Sequence, residues 1–359
     1  MKIHKIVITG DFLRVDKNNG FSQEVNILWL YHLLLPILSL INKKISICPL
    51  LGSHTERGEN IAEKFYIAQG SIPRIESWIR LSSDVNPRQQ ALLHSHLSNA
   101  LVISFELPDI VSNALTDLDI PFIDFTIHPV RFMKDLIFGV RSNIVDIFHD
   151  FTPWRVFEEN FHIEAGYAMA RLVRLPRLPS CQDSDNIGLV ACQTSYDKVL
   201  IKNRKIVTIE DFNSEVIETL QSHKKILVKP HPYENDNRTE LFLMQLLPNT
   251  HIIKDNFYHI LSHKNISTVY SISSSTSIEA KYFGKKGKHF IKYPYLFSDN
   301  MLNESTFLAI KPCFLQPKLW TKIFSRLDIP ITQQKKLPTI DIDIRKSLNS
   351  YWGADILYK

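Results

Sequence analysis

Glycine is scarce in this sequence. There are 11 glycines in 359 residues, roughly 3% against a usual ~7%, and no two stand as GxG. Both the GxGxxG fingerprint of dinucleotide-binding folds and the GxxxxGK[ST] loop need glycine where backbone approaches phosphate, so both are excluded. Cysteine is sparse too. Cys48, Cys181, Cys192 and Cys313 lie far apart, with no CxxC pair and no histidine at metal-ligand spacing. They read as isolated thiols of a reducing compartment. The longest apolar run, Ile27 to Ile41, is interrupted by His32 and Pro36 and falls short of the ~20 residues that span a bilayer. It reads as a buried helix. The opening MKIHKIVITGDFL has the pattern of a first strand and lacks that of a signal peptide. The expected location is therefore cytoplasmic.

No charge of one sign dominates. Lys and Arg number 42 against 37 Asp and Glu, a net +5, and the basic residues are scattered as on an ordinary solvated surface. A mild attraction to anionic substrates or to a membrane surface is the functional counterpart. No nucleic-acid-binding module is present. At 44% hydrophobic and 22% charged the composition is that of a soluble globular protein. The length suggests two domains at ~150 residues each.

Short β-branched runs alternate with helical stretches. Residues 2–11, 44–51, 100–105 and 120–125 read as strands, with helical pattern over 22–41 and in DIVSNALTDL. Arg155 to Arg174 has helical spacing and closes this half. Proline then punctuates RLPRLPSCQDSD (174–185), the best linker in the chain, because repeated proline cannot continue a helix. The second half repeats the alternation: IGLVACQT, a helix over 208–223, KKILVKP, TELFLMQLL, HIIKD, FYHILSH, STVYSIS, SSTSIEAKYF and GKHFIKY. Such β-α pairs predict parallel sheets with helices on both faces. The expected domains are 1–178 and 187–335, followed by a helical tail, 336–359, that packs across their junction. The expected fold class is α/β, with two Rossmann-like domains facing an interdomain cleft and ligands beyond the carboxyl ends of the strands.

The sharpest chemical signals sit at those strand ends. Lys229-Pro230-His231-Pro232 follows ILV; two prolines hold one imidazole where it can donate to a phosphate oxygen, although a plain proline-rich turn has the same look. Ser273-Ser274-Ser275-Thr276-Ser277 leads into Ile278-Glu279. One serine suffices for an N-cap, whereas a run of hydroxyls at a helix start suits an anion, with Glu279 placed for ribose hydroxyls. The first strand of this half ends in Cys192-Gln193-Thr194-Ser195-Tyr196-Asp197. Taken singly, Asp197 reads as a cap. In the first half Asp124 precedes His128, Pro129, Arg131 and Arg141, a candidate acid/base and substrate clamp or a surface ion-pair cluster. Asp11 ends the first strand. Three DxD triplets, Asp117/Asp119, Asp183/Asp185 and Asp341/Asp343, fall in helix ends, linker and tail and read as turns and caps. No clustered metal-ligand motif supports a metal.

QTSYDKVL, LVKPHPYE and SISSSTSIEAKYFGKK, in this order and spacing, resemble the retaining β-Kdo transferases. Those bacterial enzymes move 3-deoxy-D-manno-oct-2-ulosonic acid (Kdo) from CMP-β-Kdo onto lipopolysaccharide or capsule glycans. FIDFTIHPVRFMKDLIFGVRSN and the closing SYWG segment resemble the O-antigen branch, as does serine rather than glycine at Ser277. The resemblance implies a GT-B fold with the donor bound by the C-terminal domain. It implies that His231, Pro232 and Ser273, Ser274, Ser275 and Thr276 bind the CMP phosphate, with Gln193 beside them, and that Lys229 and Glu279 contact the nucleotide or its ribose. Asp197 matches the aspartate that attacks the anomeric carbon, which makes a covalent Kdo–Asp197 adduct and two inversions. Asp124 is the expected acid/base. His128, Arg131, Arg141 and Asp11 are the expected holders of the Kdo carboxylate or the acceptor.

No cofactor is expected beyond CMP-Kdo as donor substrate, and no metal, since cationic groups can stabilise leaving CMP. The expected partners are CMP-Kdo and a glycan acceptor of the lipid-linked kind, with peripheral association at the inner face of the inner membrane and no nucleic acid. Two other readings stand beside this one. An inverting, sialyltransferase-like CMP-sugar enzyme would not need Asp197, and a catalytically silent GT-B protein would only bind glycan.

Overall fold

A computed structural model describes residues 2–54, 58–182, 185–234, 236–332 and 343–358. The chain forms two compact units. The first comprises Met1–Ile127, Ile137–Val156 and Tyr295–Leu348; the second comprises His128–Leu136, Phe157–Pro294 and Asn349–Lys359.

The first unit is built on a seven-stranded sheet. Strands β1 (Lys5–Gly10), β2 (Ser46–Pro49), β3 (Ala100–Phe105) and β4 (Phe122–Ile127) run parallel, and β5 (Phe138–Ser142) pairs antiparallel with β4. β3 and β4 are buried nearly throughout, as parallel strands covered on both faces must be. The helix Glu24–Ile41 buries Ile27, Leu30, Leu34, Ile37, Leu38 and Ile41 and lies against β1, β2 and β3. By length and composition alone this 18-residue helix is apolar enough to cross a membrane. Its six buried side chains, at roughly 1.5–3 kcal/mol each, are committed to the core.

The second unit holds a five-stranded parallel sheet. Its strands are β6 (Ile187–Ala191), β9 (Lys225–Lys229), β10 (Thr250–Ile252), β11 (Ile266–Ser271) and β12 (Lys286–His289), in the order β10-β9-β6-β11-β12. Between β6 and β9 lies a hairpin, β7 (Ile201–Lys202) and β8 (Lys205–Ile206). Asn203 and Arg204 turn it with φ of 51° and 61°, the left-handed pair that a two-residue hairpin needs. Strand order reverses between β6 and β11, and open α/β sheets bind ligands beyond the carboxyl ends at such a point. Two Rossmann-like sheets, one per unit, are the two-domain composition of a GT-B-like architecture.

The units differ from the boundaries expected from the sequence. The helix Glu158–Leu172 was expected to close the first half, but it buries Phe161, Ala165, Ala168 and Leu172 within the second unit. The proline-rich stretch after it stays in that unit too. Conversely β13 (Leu296–Phe297) and β14 (Thr306–Ile310) extend the first sheet, with β14 antiparallel to β5. Proline content reports local stiffness, whereas membership of a unit follows strand pairing and apolar burial. The expected 208–223 helix is a 3-10 turn, Ile209–Phe212, followed by the helix Asn213–Leu220. The closing segment is likewise broken. After Ile344–Ser347 come left-handed Asn349, Trp352 and Gly353 at φ 49°, 43° and 78°, then a 3-10 turn, Ala354–Leu357.

Gly287 on β12 shows how tightly the serine-rich loop is held: a Cβ there would meet the Ser277 carbonyl oxygen at 1.8 Å. Gly287→Ala is expected to destabilise the protein by about 3 kcal/mol or more, as an overpacked backbone contact does. A urea unfolding midpoint unchanged from wild type would contradict this.

Candidate functional site

The loops after β6, β9 and β11 meet at the carboxyl edge of the second unit's sheet. Gln193, just past β6, ties two of them together. Its Oε1 accepts from the Ser273 N–H at 2.8 Å and its Nε2 donates to the Ser273 hydroxyl at 3.4 Å. Ser273 is fully buried and donates to the Val199 carbonyl at 2.9 Å. Ser274 is the N-cap of the helix Ser275–Ala280, accepting from the Thr276 N–H, and its carbonyl accepts from His289 Nε2 at 2.7 Å. Ser277 is buried against Ser271 and the carbonyls of Val269 and Lys288. Ser273, Ser274 and Ser277 therefore hold the loop in shape. Thr276 differs, because its buried hydroxyl oxygen has no hydrogen-bond partner.

His231 follows β9. Its Nδ1 accepts from the Tyr233 N–H at 3.2 Å, so the proton of the neutral ring resides on Nε2. Burial lowers its pKa, Asp197 and Glu234 oppose that shift, and Arg131 and Lys229 reinforce it. These charges therefore share one electrostatic neighbourhood. Burial also lowers Lys229, against the pull of Asp255. Asp197 caps the 3-10 turn Lys198–Leu200 by accepting from the Val199 N–H at 3.3 Å, as its sequence context alone suggested. The capping bond goes to Oδ1. Pro232 is exposed on the same loop.

Glu279 was expected to reach ribose, yet it is 2% exposed. It accepts from the Arg131 N–H at 2.7 Å and the Tyr258 hydroxyl at 3.0 Å. Burial dominates these bonds and raises its pKa to about 7. It thus holds the 128–136 segment, and the aromatic side of that segment packs beside it: Phe132 lies 5.2 Å from Phe283 and 6.4 Å from Tyr258. The Arg131 guanidinium stacks over Trp352 at 4.1 Å. Trp352 comes from the SYWG segment, where Asn256 donates to the Gly353 carbonyl at 2.9 Å. Left-handed Gly353 makes the turn that presents the ring.

Three expected ligand-binding or catalytic groups are instead structural. His128 is buried and stacked on Phe161 at 4.9 Å; its Nδ1 accepts from the Val130 N–H at 3.0 Å. Burial, then Lys281 and Arg131, lower its pKa to about 3. A neutral imidazole supplies no charge to a carboxylate. In the first unit Asp124 is 0% exposed. Its Oδ1 accepts from Ser104 at 2.8 Å and the Leu107 N–H at 2.9 Å, and its Oδ2 from Arg141 at 2.8 Å. Arg141 also donates to Asp109 and the Leu107 carbonyl, and packs over Phe307. Burial works against its charge, but Asp124 and Asp109 outweigh it and raise its pKa. The acid among cations is therefore an ion pair, buried rather than superficial. Asp11 is also buried in the first unit, and its charge adds to burial in raising the Tyr66 phenol.

Of the DxD aspartates, Asp117 ends the helix Asp109–Asp117, Asp119 is left-handed and Asp343 caps Ile344–Ser347. Asp183 and Asp341 lie outside the described residues. Among the described residues no group of three His, Cys, Asp or Glu side chains is arranged to hold a metal ion. Sequence reasoning assigned no role to Tyr258, Glu234 or Trp352, although Glu234 ends the LVKPHPYE stretch. Glu234 accepts from both the Ser195 N–H and hydroxyl, at 2.8 and 2.6 Å. Trp352 and Glu234 carried a signal through their SYWG and LVKPHPYE contexts; Tyr258 carried none.

No protein-family model and no curated protein sequence matches the chain. Among solved structures it is similar to a β-Kdo 2,4 transferase, KpsC of Thermosulfurimonas dismutans, at 15% identity and TM-score 0.37, covering 79% of this chain and 78% of that one. It is also similar to a β-Kdo 2,7 transferase, KpsC of the same organism, at 16% identity and TM-score 0.32, covering 57% and 68%.

Two outcomes test these assignments. Asp124→Ala takes from the buried Arg141 guanidinium its one buried carboxylate and leaves it only the exposed Asp109, which costs about 3 kcal/mol; a urea melt within 1 kcal/mol (about the effect of an ordinary substitution) would restore Asp124 as a dispensable acid. For Glu279, the folded pKa of about 7 lies above its ordinary unfolded value, so the folded state binds the extra proton between the two. Its contribution to stability is intact at pH 4 and is lost as pH rises through 7. Glu279→Gln is expected to flatten this fall, read as the wild-type-minus-variant difference in melting temperature from pH 4 to 8.

Proposed function

We propose that this chain is a retaining glycosyltransferase that moves Kdo from CMP-β-Kdo to a glycan acceptor. The observation that carries the reading is the Asp197 carboxylate in the same electrostatic neighbourhood as His231, Lys229 and Arg131, at the switch point of a Rossmann-like sheet. The order and spacing of QTSYD, KPHP and SSSTSIE support it further.

The chemistry follows from those groups. One Asp197 carboxylate oxygen attacks the anomeric carbon of Kdo, and the bond from that carbon to the phosphate oxygen breaks, with the electron pair leaving on CMP. Lys229 and a proton-donating His231 Nε2 stabilise the phosphate charge that develops. The Thr276 hydroxyl, buried without a partner, is available to the same oxygens. Arg131, held over the Trp352 ring, pairs with the Kdo carboxylate. In the second step an acceptor hydroxyl gives up its proton to solvent water as its oxygen attacks the anomeric carbon and the bond to Asp197 breaks, freeing the carboxylate; the second inversion restores the configuration. Gln193, Ser273 and Ser274 position the loops, and Glu279 positions Arg131; none of these four needs to touch the donor. The acceptor is a glycan under assembly on a membrane lipid, met at the cytoplasmic face.

Brief incubation with fresh CMP-Kdo followed by intact-protein mass spectrometry tests the reading. Wild type is expected to gain one anhydro-Kdo unit, and Asp197→Ala to gain nothing. CMP release from wild type without any adduct, or an adduct that survives in Asp197→Ala, would overturn the assignment of Asp197 as nucleophile.

A further inference from the structure

The helix Arg238–Leu246 starts shortly after the His231 loop, and Glu240 in its first turn is directed inward. The residue is only 4% exposed, and its Oε2 is buried with no hydrogen-bond partner. A buried acceptor in this state goes without a hydrogen bond that water would give it. The nearby polar groups give it no relief. The Ser195 N–H and hydroxyl are engaged by Glu234, and Arg238 is paired with Asp236. The Cys192 thiol, beside it, is pushed up by burial and then by Glu240 itself.

Glu240 lines a cavity of about 460 Å³ whose apolar walls include Leu200, Ile209 and Ile272 and whose lining also includes His231. That volume is in the range of small-molecule sites, about 300–1,000 Å³, which are mostly apolar with a few placed polar groups. One wall thus carries a group suited to a phosphate oxygen and another carries a bare hydrogen-bond acceptor, with apolar surface between. A nucleoside monophosphate has the matching sequence of chemistry: phosphate, sugar, then a flat ring edged with N–H groups.

We propose that Glu240 selects the base of the nucleotide donor, its carboxylate accepting an N–H from an amino-substituted pyrimidine. This rests on the donor reading above and adds a specificity residue to it. A pyrimidine with an oxo group in place of the amine presents a lone pair to Glu240 instead of a proton. Its binding leaves the carboxylate oxygen unpaired and adds repulsion, the arrangement by which buried polar groups discriminate most strongly.

Isothermal titration of the whole chain with CMP and with UMP tests this. Wild type is expected to bind CMP at least about tenfold more tightly than UMP, the loss of one buried hydrogen bond. In Glu240→Gln, whose carboxamide offers a donor or an acceptor, the ratio is expected to fall to within about threefold. Two results overturn the proposal while leaving the donor reading intact: wild type binding CMP and UMP alike, which needs no variant to fold, or Glu240→Gln keeping the wild-type ratio. Failure of wild type to bind CMP at all overturns the donor reading and the base assignment together.

Discussion

Backbone hydrogen bonds from β6 to β9 on one side and to β11 on the other bring together residues that are far apart in the chain. Leu189 registers with Leu227 and with Val269, so the loops beginning near 192, 230 and 272 emerge side by side. Without that register Asp197, His231 and Thr276 would have no common neighbourhood. The pairing is secured by apolar burial on one face, where Val190, Ile226, Val228, Val216 and Leu243 pack together. A one-residue slip would move those side chains to the opposite face and break this packing, so the core that stabilises the sheet also fixes the geometry of the candidate site.

Most polar residues near the strand ends serve that geometry through bonds within the protein. Gln193 and Ser273 bind each other, Ser274 caps, and Ser277 fills a narrow space beneath Gly287. Asp124 and Arg141 satisfy one another inside the first unit, at the cost of taking two charges out of water, which a good fork of hydrogen bonds only about offsets. The groups that remain are fewer and different in kind. Lys229, His231 and Arg131 bring donors and positive charge, Asp197 is a partly exposed carboxylate, and the Thr276 hydroxyl and the Glu240 carboxylate oxygen are buried without partners. Residues held in costly states like these are where a ligand's own hydrogen bonds gain the most.

Arg131 reaches this neighbourhood by an indirect route. Its chain segment lies between two pieces of the first unit in sequence, yet a carboxyl from the helix Ser275–Ala280 binds its backbone and an indole from the chain's last residues lies under its guanidinium. Burying Glu279 is expensive in its charged form, which is why its pKa rises to about 7. The stacked guanidinium loses less freedom on meeting a carboxylate than a mobile one would, the general advantage of preorganisation.

The two α/β halves, the strands and most helices were legible in the sequence, because β-branched runs and helical periodicity are local properties of the chain. Lys229-Pro230-His231-Pro232 and the hydroxyl run stood out as polar loops at strand ends for the same reason, whereas Asp197 by itself read only as a cap. The roles within the hydroxyl run were not, since hydrogen bonds to Val199, Gln193 and His289 come from elsewhere in the chain. Unit boundaries were also out of reach: proline at 174–185 is a local signal, whereas β14 joins β5 across more than 160 residues. Nothing in TELFLMQLL distinguishes a solvated helix glutamate from one buried beside Cys192. Sequence determined which side chains the loops offer; only long-range pairing and burial decided which of them were tied into the fold.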